Sequence, residues 1–253
     1  MKLYQIAILI LSLLSGIASA TQSDQEALDL LRASEALMRS SATAAEYQID
    51  IIRPDWQRTM LFRSLDDFSN NRFRMEILSP RKTKGTVFLK VDNKLSMYLP
   101  KLRKQIAISP AMMQDAWMGS DFNNQDLLET DSVISGYTHK IIKREGQGDT
   151  AIITIESTPQ PDATVSWLRL EHRLQANGMP LEVSYICKRG IPSRRLTFDS
   201  PREMDGRTIP TRWTMESLLE EGKQTTITLK SIDFDTQYSD EAFTPGKKRN
   251  SGA

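Results

Sequence analysis

Hydrophobic spacing changes once along this chain, from a helical period to a period of two. Ala27, Leu30, Leu31, Ser34 and Met38 recur on one helical face, and Ser23 stands three residues before Glu26 in a capping-box spacing. That pattern predicts an amphipathic helix over residues 24–41. Beyond it, Phe73, Met75 and Ile77 alternate with Arg72, Arg74 and Glu76, while Leu95, Met97 and Leu99 alternate with Lys94, Ser96 and Tyr98. Such alternation marks strands with one apolar and one wetter face. It predicts strands at 45–53, 57–66, 71–79, 83–91 and 94–99, a meander of antiparallel neighbours.

Residues 100–135 interrupt the rhythm. Pro110 opens a stretch through Met118 whose apolar side chains have helical spacing, and Gly119 ends it, so a helix is expected there. A second short helical turn is expected at 123–128, capped by Asn123 or Asn124. Strands resume at 136–145, 149–158, 164–175, 179–188, 193–199, 207–218 and 223–235, with turn signals at Gly146–Gly148, Asn177–Gly178 and Glu221–Gly222. Trp167, Phe198, Trp213, Ile227 and Leu229 bring large side chains to this second half.

About ten to twelve strands with only two or three helices exclude a regular βαβ architecture, because no crossover helices separate the strands. The expected fold is mainly β: a curved antiparallel sheet, half-open, covered on its concave face by the few helices. A two-sheet sandwich is the alternative, and it leaves the N-terminal helix and the Met-rich 110–118 segment less well explained.

The N-terminus adds a location. One early charge, Lys2, an apolar run from Ile6 to Leu14, and small residues at Ala18 and Ala20 form the three-part pattern of a secretory signal, with cleavage expected after Ala20. The run is shorter than the roughly 20 residues of a spanning helix. Removing these 20 of 253 residues leaves a chain long enough for one substantial core, so residues 21–244 are read as a single domain. Residues 245–253, basic and small, are read as a disordered tail. One cysteine, Cys187, allows no internal disulfide, which fits a bacterial periplasm better than a disulfide-stapled secreted module. Lys and Arg number 33 against 32 Asp and Glu, a balance that argues against nucleic acid, or a strongly anionic membrane surface, as the main partner.

Candidate chemistry is sparse. The chain has no G-x-S-x-G turn, no Walker loop, no dinucleotide glycine fingerprint and no H-E-x-x-H helix. His139 and His172 could meet Cys187 at a zinc ion, but polar sheet positions explain them as well. Asp66, Asp67 and Asp121 leave a glycosidase-type carboxylate pair open without marking one. Two basic groups, Lys188, Arg189, Arg194 and Arg195, and Lys101, Arg103 and Lys104, suit either an anionic headgroup or a solvated strand edge. More telling is a surplus of adaptable apolar side chains. Met75, Leu95, Met97, Met112, Met113, Trp117, Met118 and Phe122 come from strands and from the covering segment, and a Met-rich lining accepts flexible apolar ligands. A plain core between sheet and cover would use the same residues.

The run MYLPKLRKQIAISPAMMQDAWMGSDFNNQDLL, residues 97–128, resembles outer-membrane lipoprotein-sorting proteins of the LolA-like superfamily, in the branch where a YLP…RK…I strand precedes M…WMGSDF…DL. Trp167, the segment RTIPTRWTM at 207–215 and the ending DFDTQYSDEAFTP at 233–245 extend the resemblance over nearly the whole chain after residue 20. It implies a periplasmic protein folded as a half-open antiparallel β-barrel with a helical lid, whose hollow accepts acyl chains of lipoproteins or other lipids. It also implies that Trp117–Phe122 belongs to the lid region and that an inner-membrane export permease is a partner. The arginine that closes the lid in better-studied carriers has no match here. Neither enzymatic activity nor a cofactor or metal is expected. Beside this carrier reading stand a periplasmic accessory or sensor that braces an export complex through protein contacts, and a hydrolase.

Overall fold

In the computed structural model, which describes residues 24–92, 94–127, 132–161, 163, 165 and 167–244, every strand joins one antiparallel sheet. The strands are β1 (Ala42–Ile52), β2 (Gln57–Asp67), β3 (Arg72–Ser79), β4 (Val87–Val91), β5 (Lys94–Leu99), β6 (Lys104–Ala107), β7 (Tyr137–Glu145), β8 (Ile152–Pro159), β9 (Trp167–Gln175), β10 (Pro180–Cys187), β11 (Pro192–Met204), β12 (Arg207–Ser217) and β13 (Gln224–Phe234). Their spatial order is β6-β5-β4-β3-β2-β1-β13-β12-β11-β10-β9-β8-β7. Two meanders therefore meet at the centre, where β1 pairs with β13 and Ile49 lies opposite Ile227. The sheet does not close, because β6 and β7 sit at opposite edges.

That order dictates what covers the sheet. Since β6 and β7 are consecutive in sequence but stand at opposite edges in the strand order, the chain after β6 must pass from one edge to the other. Residues 108–127 run over the buried face, carrying Ile108 and Trp117 onto a core of Ile49, Phe62, Phe88 and Leu95. Helix α1, residues 24–38, takes another part of that face. Its Ala27 and Leu31 pack with Ile153, Ile155 and Leu174, and its Leu37 and Met38 pack with Ala45, Ile209, Leu229 and Phe234. A single helical turn, α2 (Ser132–Ser135), completes the cover. The β9–β10 turn comes close to α1: a Cβ on Gly178, whose φ is +89°, would stand 3.3 Å from the Ala33 carbonyl carbon. Only glycine fits that turn without displacing the helix.

Three sequence expectations need correction. The helix over 110–118 is absent: the segment holds short 3-10 turns at Pro110–Met112 and Trp117–Gly119, broken by left-handed residues at Met118 (φ 53°) and Gly119 (φ 80°). The carbonyls of Met112, Met113 and Asp115 accept from the segment that follows, and others close local 3-10 turns, so no helical ladder forms. Asn124 donates its backbone N–H to Asp115 and its side-chain amide to Met112, and Gln125 donates its N–H to Met113. The strand count rises to thirteen because β6, exposed along its whole length, shows no alternation to read. The first helix ends at residue 38 instead of 41. Asn123 does cap its turn, accepting from the Asp126 N–H at 2.8 Å while the Asp126 carboxylate accepts from the Asn123 N–H at 2.7 Å. The signal segment with its cleavage point, Ser23 and residues 245–253 lie outside the described residues. No helix among the described residues is long and apolar enough to cross a membrane.

Candidate functional site

Between α1, the crossing segment and the concave face of the sheet lies a cavity of about 500 Å³. Its walls follow from the strand register. Phe198, Trp213 and Ile227 face one another across β11, β12 and β13, and His172, Val183 and Leu196 do so across β9, β10 and β11. All six line the cavity, together with Tyr47, Phe62 and Met75 from the N-terminal meander and Leu31 and Met38 from α1. Aromatic rings stiffen the wall: Tyr47 stacks on Phe62 at 5.2 Å and meets Trp213 at 5.5 Å. Rigid rings on a sheet keep a hollow open where flexible side chains would collapse into it.

Polar groups sit in discrete places. Near α1, Tyr47 is hydrogen-bonded to Ser64 beside Asp66, and burial, followed by the Asp66 charge, pushes its phenol far above the ordinary range. Glu35 of α1 and Arg39, just past its end, form an ion pair that lines the same region, with the Arg39 guanidinium 4.6 Å over the Phe68 ring. Against the crossing segment, Asp126 pairs with Arg194 at 2.9 Å, and that guanidinium lies 4.7 Å over Tyr185 and 5.0 Å over Trp167. His172 stands in the wall itself. Burial first, and the neighbouring His139 second, lower its pKa to about 3, so the imidazole stays neutral and adds no charge to the wall at physiological pH.

Neutral burial has a measurable consequence. The unfolded chain protonates His172 below about pH 6.5, whereas the folded chain does not until about 3, so acid favours unfolding throughout that window. Stability is expected to fall by up to about 1.4 kcal/mol per pH unit once the pH is well below 6.5. Thermal melts of wild type and His172→Leu from pH 7 to 4.5 check this, and the variant's slope should be shallower. Part of the slope should remain, because burial also lowers the pKa of His139.

Of the residues expected to line a cavity, Met75, Trp117 and Phe122 do. Leu95, Met97, Met113 and Met118 instead pack into the adjoining core under the crossing segment, and Met112 is 38% exposed. They fill the junction of cover and sheet because the segment lies flat there. Sequence reasoning missed most of the wall from β9–β12 and α1. Alternation in those strands, with Trp167, Phe198 and Trp213, was the available signal. Among the described residues no group of three or more His, Cys, Asp or Glu side chains is placed to hold a metal ion.

A protein-family model described as "Uncharacterized protein" matches residues 69–247. The chain belongs to that family. Among curated proteins none matches it. Solved structures share its fold at low identity. A DUF1329 family protein from Desulfovibrio piger superposes with a TM-score of 0.77 at 20% identity, covering 88% of this chain and 97% of that one. A putative outer membrane lipoprotein-sorting protein domain from Vibrio parahaemolyticus gives 0.75 at 20%, over 87% and 97%. A LolA superfamily protein from Nitrosomonas europaea gives 0.70 at 18%, over 86% and 97%. The family member described here thus has the half-open, helix-covered sheet of LolA-like proteins.

Proposed function

We propose that this protein is a non-enzymatic periplasmic carrier or chaperone that takes acyl chains of lipoproteins or other lipids into its cavity, for envelope trafficking or export. The observation that supports it is the hollow itself: about 500 Å³, walled mainly by rings and aliphatic side chains, with Asp66 and the ion pairs Glu35–Arg39, Asp126–Arg194 and Arg173–Glu182 at its border. A pocket of that size holds one small apolar ligand. Each buried methylene contributes about 0.8 kcal/mol, so part of an acyl chain suffices for useful affinity. The signal-like N-terminus supports export with cleavage after Ala20, and the likeness to a putative lipoprotein-sorting domain supports the cargo class.

Mass spectrometry of protein purified without detergent should reveal bound lipid, and a fluorescent acyl probe should be displaced by free lipid. Val183→Trp places an indole in the hollow. It is expected to weaken probe binding at least about tenfold while leaving the melting temperature within a few degrees, since space already exists for the ring. Unchanged probe binding would sink the carrier reading.

The two open sheet edges, β6 and β7, favour a second reading. An accessory that braces an inner-membrane export complex would pair through such an edge. It would keep its function in Val183→Trp.

A further inference from the structure

At one end of the sheet the β3–β4 and β5–β6 turns are packed together. A Cβ on Gly85 would lie 3.3 Å from the Pro100 ring, and the Lys101 ammonium donates to the Lys82 carbonyl at 3.1 Å. Between them, residues 80–86 and 99–105 carry Arg81, Lys82, Lys84, Lys101, Arg103 and Lys104 and no acidic residue. All six cations are exposed, and among the described residues none of them makes an ion pair. In their midst Leu102 is 62% exposed, the most exposed of the large apolar side chains described. The tip that presents it is fixed by backbone bonds from Leu102 to Leu99 and from Arg103 to Pro100, with Arg103 in the left-handed region at φ 51°. Asp92, Asp149 and Asp205 lie in turns at the opposite end of the strands. Asp55, Glu220 and Glu221 occupy the β1–β2 and β12–β13 turns at the same end as the twin hairpins, so the basic cluster is local to these two hairpins, and a near-zero total charge conceals it.

We propose that this twin-hairpin tip docks the protein on an anionic phospholipid bilayer, with the six cations at the phosphate layer and Leu102 entering the headgroup boundary. An apolar side chain encircled by cations matches that boundary, where charge is met outside and hydrocarbon within. An acidic protein face would satisfy the cations and leave Leu102 exposed. Each cation near such a surface raises the partition coefficient roughly fivefold, and the attraction fades within a Debye length. Docking of this kind does not depend on what the cavity holds.

Co-sedimentation of the purified chain with vesicles tests it, using phosphatidylcholine alone against phosphatidylcholine with phosphatidylglycerol. At about 0.02 M salt, where screening reaches only over about 20 Å, binding is expected to the anionic vesicles and not to the neutral ones, with release at about 0.5 M. The triple variant Lys82→Glu, Lys101→Glu, Arg103→Glu should lower the anionic partition at least about a hundredfold. Leu102→Asn should lower it several-fold without changing its salt dependence, and Lys230→Glu, an exposed charge in β13, should leave it within about twofold. Every sample is protein recovered from the periplasm, cleaved after Ala20 on the reading above, so the apolar run from Ile6 to Leu14 adds no vesicle binding of its own. These sites are exposed, so matching melting curves separate loss of docking from loss of fold. Equal binding to both vesicle types, full binding by the triple variant, or retention of an acidic membrane protein with no vesicle binding would overturn the proposal.

Discussion

Asp121→Ala is expected to destabilise the protein by about 3–5 kcal/mol, because it strands Arg53 as an unpaired charge in a nearly dry site. The two side chains are only 7% and 9% exposed and pair at 3.0 Å. Their environment is fully committed. Arg53 also donates to the Gly119 carbonyl at 2.7 Å, while Asp121 accepts from the Thr225 hydroxyl at 2.7 Å and gives its backbone N–H to the same oxygen at 3.0 Å. The pair thus rivets the crossing segment to the β1–β2 turn and to β13. For a chain of this length the loss corresponds to roughly 10 °C in melting temperature, read by thermal denaturation. The double variant Arg53→Met, Asp121→Leu should recover much of it, since replacing both charges removes the stranded one. A double variant as unstable as the single would show that the hydrogen bonds to Gly119 and Thr225, not the charge pairing, hold the segment.

Trp117→Ala should cost a similar amount, about 3–5 kcal/mol, by a different route. Trp117 is 2% exposed and meets Phe88 and Phe62 edge-on at 5.6 and 6.1 Å, so truncation leaves a void where crossing segment and sheet join. The indole N–H has no hydrogen-bond partner among the described residues, so the loss is one of contact and apolar burial. Because the ring also lines the cavity, the void opens into it. A small apolar ligand should then raise the variant's melting temperature more than the wild type's, by mass action on the enlarged site. Denaturant titration gives the stability, and melts with and without ligand give the second effect. A variant destabilised but blind to ligand would place Trp117 in a sealed core.

Both results bear on how the hollow opens. The crossing segment is held at Asp121 and again at Asp126, where Arg194 is clamped between rings. Helix α1 packs on the sheet through apolar side chains, with exposed polar contacts from Arg144 to Glu26 at 2.6 Å and from Arg207 to the Ala36 carbonyl at 3.0 Å.

The sequence by itself determined the elements wherever a local period existed: the amphipathic first helix, twelve of the thirteen strands and the reading of an open, helix-covered sheet. Alternation depends only on neighbours along one strand, which makes it legible without a partner. Tertiary structure decided the rest. The 110–118 segment has helical spacing, yet Met118 and Gly119 adopt left-handed backbone and later asparagine and glutamine residues claim its carbonyls. Which apolar side chains border the hollow depended on strand order, because crossing from β6 to β7 buries Met97 and Met113 beneath the cover and leaves Val183, Leu196 and Phe198 facing open space. The ion pair Arg53–Asp121 joins positions 68 residues apart, and the basic cluster gathers two turns whose charge the overall composition had averaged away. Pairing at such distances is a property of the folded sheet, since no local spacing encodes it.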